Sequence, residues 1–193
     1  MAALAVLSDQ PIGRVRLANL WWVAAALAIM VAAILSHVLW LLNFVHVMAG
    51  LLWTGIDLFM GFVMGPILRS VDLSARRPII LRLMPKMVFL MPTLSIVTGT
   101  AGWFLARDMG FLDLGYPEFY WVAAALAIIA LLTVQGIGIL LPTNLMVCFE
   151  LQKPEPDLPK IGRWMHRYVR VIALQGALQV AIIMVMARFV TGL

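Results

Sequence analysis

The chain has 193 residues, 64% of them hydrophobic and 12% charged, with a mean hydropathy of +1.02 and a formal net charge of +5. A soluble domain usually carries about a quarter charged residues, so this balance excludes an ordinary soluble enzyme and points to a single all-α membrane domain over residues 1–193, a polytopic transmembrane helix bundle. The positive charge reads as a topology signal and not as a nucleic-acid footprint, and the single Cys148 excludes an intrachain disulfide or a four-cysteine iron–sulfur site within this chain.

In chain order, Met1–Pro11 offers neither a basic n-region nor a small-residue cleavage site, so the first span is expected to act as its own insertion signal. Five apolar stretches are long enough for a bilayer core, which needs ~20 residues each; they run over about 17–36, 38–67, 78–106, 118–149 and 162–190. The first two are nearly fused, with only Ser36-His37 as a polar break. Residues 17–67 are far too long for one crossing at a rise of ~1.5 Å per residue, so two spans are expected there. Pro142 in span four should kink or locally open that helix.

The basic residues set the orientation. Arg14 and Arg16 precede span one; Arg69, Arg76, Arg77, Arg82 and Lys86 cluster between spans two and three; Lys153, Lys160, Arg163, Arg167 and Arg170 cluster between spans four and five. Only Arg107 and Arg188 fall on the other side. The asymmetry predicts a cytoplasmic N-terminus and an outer C-terminus. Six of the seven tryptophans lie near predicted span ends, as an interfacial belt would; Trp53 lies well inside span two.

Span two carries the polar groups that invite a functional reading. Ionisable side chains inside a membrane are costly to keep and mark working sites by default. His46 and Asp57 are eleven residues apart, three helical turns plus roughly 20°, so they share one helix face; Gly50, Trp53 and Gly61 fall on or near the same stripe. A neutral imidazole at that depth can hydrogen-bond a neighbouring helix, or ligate haem iron or another transition metal. Gly50 would let a planar macrocycle approach, and Trp53 could pack against it. Asp57, near mid-membrane, is the candidate proton-relay group. Its nearest basic candidates are Arg82 and Lys86, and Gln135, Asn144, Gln175 and Gln179 are the amides that could hold it. His166 belongs to the opposite side of the membrane from His46, so a bis-histidine clamp is not expected; His37 sits at the mouth of span two.

The segment His46-x-x-x-Gly50-x-x-Trp53-x-Gly55, followed by Arg76-Arg77, Arg82-Leu-Met-Pro85-Lys and an ending in Thr98-Gly99 with Gly102, resembles a loose membrane superfamily. It includes copper-resistance D-type proteins, the membrane domain of bacterial urate oxidases and bacterial membrane protoporphyrinogen oxidases. The resemblance covers residues 40–105 or so and implies a small helical bundle, in a bacterial inner membrane, whose span-two histidine is a haem ligand or redox-site residue. Span four here lacks the histidine and lysine that the protoporphyrinogen oxidase group would lead one to expect.

Three readings follow. The first is a haem-b-binding membrane redox protein, carrying electrons or oxidising a small lipophilic substrate, with His46 as axial ligand, Gly50 and Trp53 beside the cofactor and Asp57 as proton relay. The second is a cofactor-free small subunit of a larger membrane complex, a homo-oligomer or a transporter component, packed among lipids. The third is a metal-ion or proton conduit that uses His46 and Asp57.

Overall fold

The computed structural model describes residues 20–192; Arg14, Arg16 and the first residues of span one lie outside the described residues. Every regular element among the described residues is helical. Helix α1 covers Leu20–Leu35 and α2 covers Leu39–Phe59. A π-helical turn, Met60–Met64, leads into the short α3, Gly65–Ser70. Helix α4 runs from Leu73 to Asp108, and a 3-10 turn at Phe111–Asp113 connects it to α5, Phe119–Gln135. A second π-helical turn, Gly136–Leu140, joins α5 to α6, Leu141–Gln152, and α7 covers Leu158–Val190.

Four runs are long and apolar enough to cross a membrane: Leu39–Ser70, Ser74–Asp108, Phe119–Gln152 and Leu158–Val190. They correspond to expected spans two to five. Helix α1 is apolar but has 16 described residues, short of the ~20 that a crossing needs. The break between α1 and α2 falls where the sequence offered its polar pair. Ser36 Oγ donates to the Ala33 carbonyl at 2.8 Å and accepts from the Val38 amide at 3.2 Å, while His37 takes a left-handed backbone with φ 54°. The chain turns because a serine satisfies both helix ends locally.

Both π turns end two residues before a proline: Gly65-Pro66 follows the first, Leu141-Pro142 the second. In each, the residue before the proline donates its amide five residues back, Gly65 to the Met60 carbonyl and Leu141 to the Gly136 carbonyl. A proline ring clashes with the carbonyl four residues before it, and widening the preceding turn relieves that clash without ending the helix. This is the local opening that Pro142 predicts.

Helix α4 is the hub. It packs most extensively against α2 and also against α1 and α6, while α5 packs against α7. Ala33, Leu42, Val45, Ala49, Val97 and Ala101 form the core between α1, α2 and α4, and Leu81, Val147 and Leu151 form a second core between α4 and α6. The polarity is inverted relative to a soluble fold. Trp21 and Phe62 are 73% and 77% exposed, whereas Gln175 and Gln179 are 2% and 1% exposed. Apolar surface outside and amides inside is the arrangement that lipid demands.

The basic clusters gather at one end of the bundle. The Arg77 guanidinium donates to the carbonyls of Leu151 at 3.0 Å and Lys153 at 3.1 Å, and buried Glu150 pairs with Lys153 at 2.8 Å and Lys160 at 3.4 Å. At the opposite end Arg188 lies 5.8 Å over the Trp121 ring. Arg77 thus ties the α6–α7 connection to α4. Arg77→Ala takes a donor from two carbonyls; water can replace it at the exposed Lys153, but not as readily at the part-buried Leu151, where a buried group left unpaired costs about 1–3 kcal/mol. We expect Arg77→Ala to lower unfolding stability in detergent by roughly 1–2 kcal/mol; an unchanged denaturation midpoint would contradict the tie.

Candidate functional site

The shared stripe on α2 divides in three dimensions, because α4 crosses the first half of the helix and α7 the second. His46 and Gly50 face α4. His46 Nδ1 lies 2.9 Å from the Thr98 carbonyl oxygen. A carbonyl only accepts, so Nδ1 carries the hydrogen and the lone pair of the neutral ring is at Nε2. The ring lies against Gly102: a Cβ at that position would come within 2.7 Å of His46 Cε1 and 2.9 Å of Nδ1. Glycine is required there because the imidazole occupies the space a side chain would take. At Gly50 an added Cβ would meet Thr98 Cγ2 at 3.3 Å. The groove that Gly50 opens admits α4, with the Thr98 methyl lying against it. Of the residues assigned to a haem, His46 alone presents a ligand atom.

Asp57 and Gly61 face α7, which runs antiparallel to α2: Asp57 meets Gln175 and Gln179, and Gly61 meets Ile172. Gln175 Nε2 and Gln179 Nε2 both donate to Asp57 Oδ2, the latter at 2.8 Å. Two of the four amides named from the sequence are thus the partners. The basic candidates are not: Arg82 and Lys86 are exposed, and the ion pairs among the described residues are Arg107–Asp108, Lys153–Glu150 and Lys160–Glu150. Gln175 and Gln179 are one helical turn apart, so both reach one carboxylate from a single face of α7.

Trp53 is buried between these two regions and lines, with Asp57, a cavity of about 40 Å³. Each long span contributes to its wall. Met87, Met91 and Ser95 come from α4, Asn144 from α6, and Tyr168 and Gln175 from α7. The second π turn brings Gly136, Ile137 and Leu140 to the same wall. The Tyr168 hydroxyl is hydrogen-bonded to the Asn144 side chain. Tyr168 was not singled out from the sequence, although its spacing of seven and eleven residues before Gln175 and Gln179 puts all three on one face of α7.

The remaining histidines stand apart. His37 and His166 are exposed. His46 is eleven residues from Asp57 toward one membrane face, and His166 is nine residues from Gln175 toward the other. At ~1.5 Å per residue the two imidazoles are about 30 Å apart along the bundle, so they share no metal. Among the described residues no three His, Cys, Asp or Glu side chains form a group that could hold a metal ion.

Comparison with known proteins gives no matching family model, no matching curated protein and no matching solved structure. The functional reading rests on the residues themselves.

The fit between ring and glycine has a measurable consequence. Gly102→Ala forces the imidazole off the Thr98 carbonyl and should lower the melting temperature in detergent more than Gly50→Ala does. In a His46→Ala background the same Gly102→Ala change should cost little, because the clashing ring is gone. Equal costs in both backgrounds would mean that the ring does not occupy that space.

Proposed function

We propose that the chain is a multi-pass protein of a bacterial inner membrane, N-terminus in the cytoplasm and C-terminus outside, with α1 making the fifth crossing. Its working group is Asp57, a carboxylate that takes up and releases a proton inside the membrane. One observation carries the reading: Asp57 is held by two neutral amides on α7 and by no cation among the described residues. A buried carboxylate without a counter-charge is expensive in an apolar medium, and a structural role would be better served by a pair or by an apolar residue. The two glutamines suit a group that changes state. Each offers donors to the carboxylate, and each has an Oε1 atom without a partner in the present arrangement; an amide turned by 180° would accept from the protonated acid. The orientation is supported by the basic clusters gathered at one end of the bundle.

The test is infrared spectroscopy of purified protein over a pH titration. The carbonyl-stretch region should contain a protonated-carboxyl component that is lost in Asp57→Asn. Superimposable titrations of wild type and variant would overturn the assignment.

A second reading is favoured by the His46 geometry. Metal-bound histidines commonly donate their other ring N–H to a backbone carbonyl, which fixes the tautomer and ring orientation, and Thr98 does this for His46. In that reading His46 is an axial ligand of haem b in a membrane oxidoreductase or electron carrier, and Asp57 is its proton relay. Haem would supply one-electron chemistry. Protein produced with ample haem should then carry a Soret band that disappears in His46→Ala and persists in His166→Ala. Absence of any chromophore would end this reading and leave the Asp57 proposal standing.

A further inference from the structure

The cavity beside Asp57 has a lining with an excess of acceptors. Asp57 contributes a carboxylate whose two amide hydrogen bonds both go to Oδ2. Gln175 Oε1 and Asn144 Oδ1 are buried and have no hydrogen-bond partner, and both residues line the cavity, at 2% and 8% exposure. Ser95 and Tyr168 add hydroxyl oxygens. Among the described residues no lysine, arginine or histidine lines it, and its titratable groups are Asp57, from α2, and Tyr168, from α7.

Unpaired acceptor oxygens in a low-dielectric interior call for an occupant that is positive or rich in donors. Oxygens from a carboxylate, amides and hydroxyls are hard ligands, suited to hard cations. The charge restricts the choice further. One carboxylate balances one positive charge, whereas a divalent ion would leave a net charge buried in the membrane. So does the volume. A water needs at least ~10–15 Å³ of such space, so about 40 Å³ holds a small ion with one or two waters and nothing as large as an organic substrate.

We infer that the cavity bounded by Asp57, Asn144, Tyr168 and Gln175 is a binding site for a small hard monovalent cation of the sodium type, in exchange with the carboxyl proton. The inference rests on the reading of Asp57 as the working group. The exchange is balanced: one Na⁺ enters, one proton leaves the carboxyl group, and the net charge of the site is unchanged. All four long spans wall the cavity, so occupancy would draw them together around Asp57. The two π turns, one beginning three residues after Asp57 and the other lining the cavity, lie where the helices would adjust.

The test is equilibrium binding of radioactive ²²Na⁺ to the full-length protein in detergent, with the infrared titration repeated on the same samples. Wild type should bind Na⁺ saturably, more weakly as pH falls because protons compete, and potassium should displace it poorly. Asp57→Asn should abolish binding. Asn144→Leu and Gln175→Leu should each weaken it about tenfold to a hundredfold, the range that losing one polar partner of a charge carries. Asn144→Thr provides the check on folding, since it keeps an uncharged acceptor oxygen at that position and should bind Na⁺ better than Asn144→Leu. Absence of saturable Na⁺ binding in wild type overturns the inference, as does binding that Asp57→Asn leaves intact or displacement by silver ion in place of sodium, which would assign the site to the Met87 and Met91 thioethers. If Na⁺ fails to bind while the carboxyl component still vanishes in Asp57→Asn, the cavity holds water and the proton reading survives alone.

Discussion

A carboxylate inside an apolar bundle has to find its hydrogen-bond donors within the protein, because lipid supplies none. Asp57 finds them on α7, at Gln175 and Gln179. That contact fixes the rotation of α7 about its axis and its register against α2, since both amides must reach one oxygen. It also fixes what the rest of α7 presents: Tyr168, two turns below, is delivered to the same interior as Gln175. Pairs of this kind are worth only about 0.6 kcal/mol on average within membranes, so their value here lies more in specifying one arrangement than in holding the bundle together.

Cohesion comes instead from close packing around α4. Ala33, Ala49 and Ala101 let α1, α2 and α4 approach closely, and Ala101 is 0% exposed. Gly102 and Gly50 serve the same approach, one accommodating an imidazole and the other a threonine methyl. The result is tight packing on the α2–α4 side, where His46 is held, and a looser middle, where Asp57, Trp53 and the second π turn surround a cavity. Rigidity beside a histidine and adjustable helix turns beside a carboxylate are different provisions, and they divide a stripe that looks continuous along α2.

Much of this was legible in the sequence. The break at Ser36-His37, the basic clusters meeting at one end and the distance between His46 and His166 all follow from hydropathy, charge and helical rise. The set of amides able to hold Asp57 was also visible, because few polar side chains occur in spans four and five; which two do so depends on the rotation of α7, which side-chain spacing on one helix cannot supply. The partner of His46 was not legible at all. It is a backbone carbonyl, at Thr98, and every residue has one. Likewise the glycine that matters most for the imidazole is Gly102 on the facing helix, whereas Gly50 meets the Thr98 methyl. Helix α1 ends at Leu35, beside the Ser36-His37 pair that the hydropathy run offered as its break.

The most direct measurement of the central contact is carbon NMR of protein labelled at the aspartate carboxyl carbon, with the Asp57 resonance assigned by its loss in Asp57→Asn. The account predicts a resonance displaced from those of the exposed aspartates, which moves with pH and shifts again when Gln175 and Gln179 are replaced by leucine. A resonance that coincides with the exposed aspartates and ignores the loss of both glutamines would contradict it.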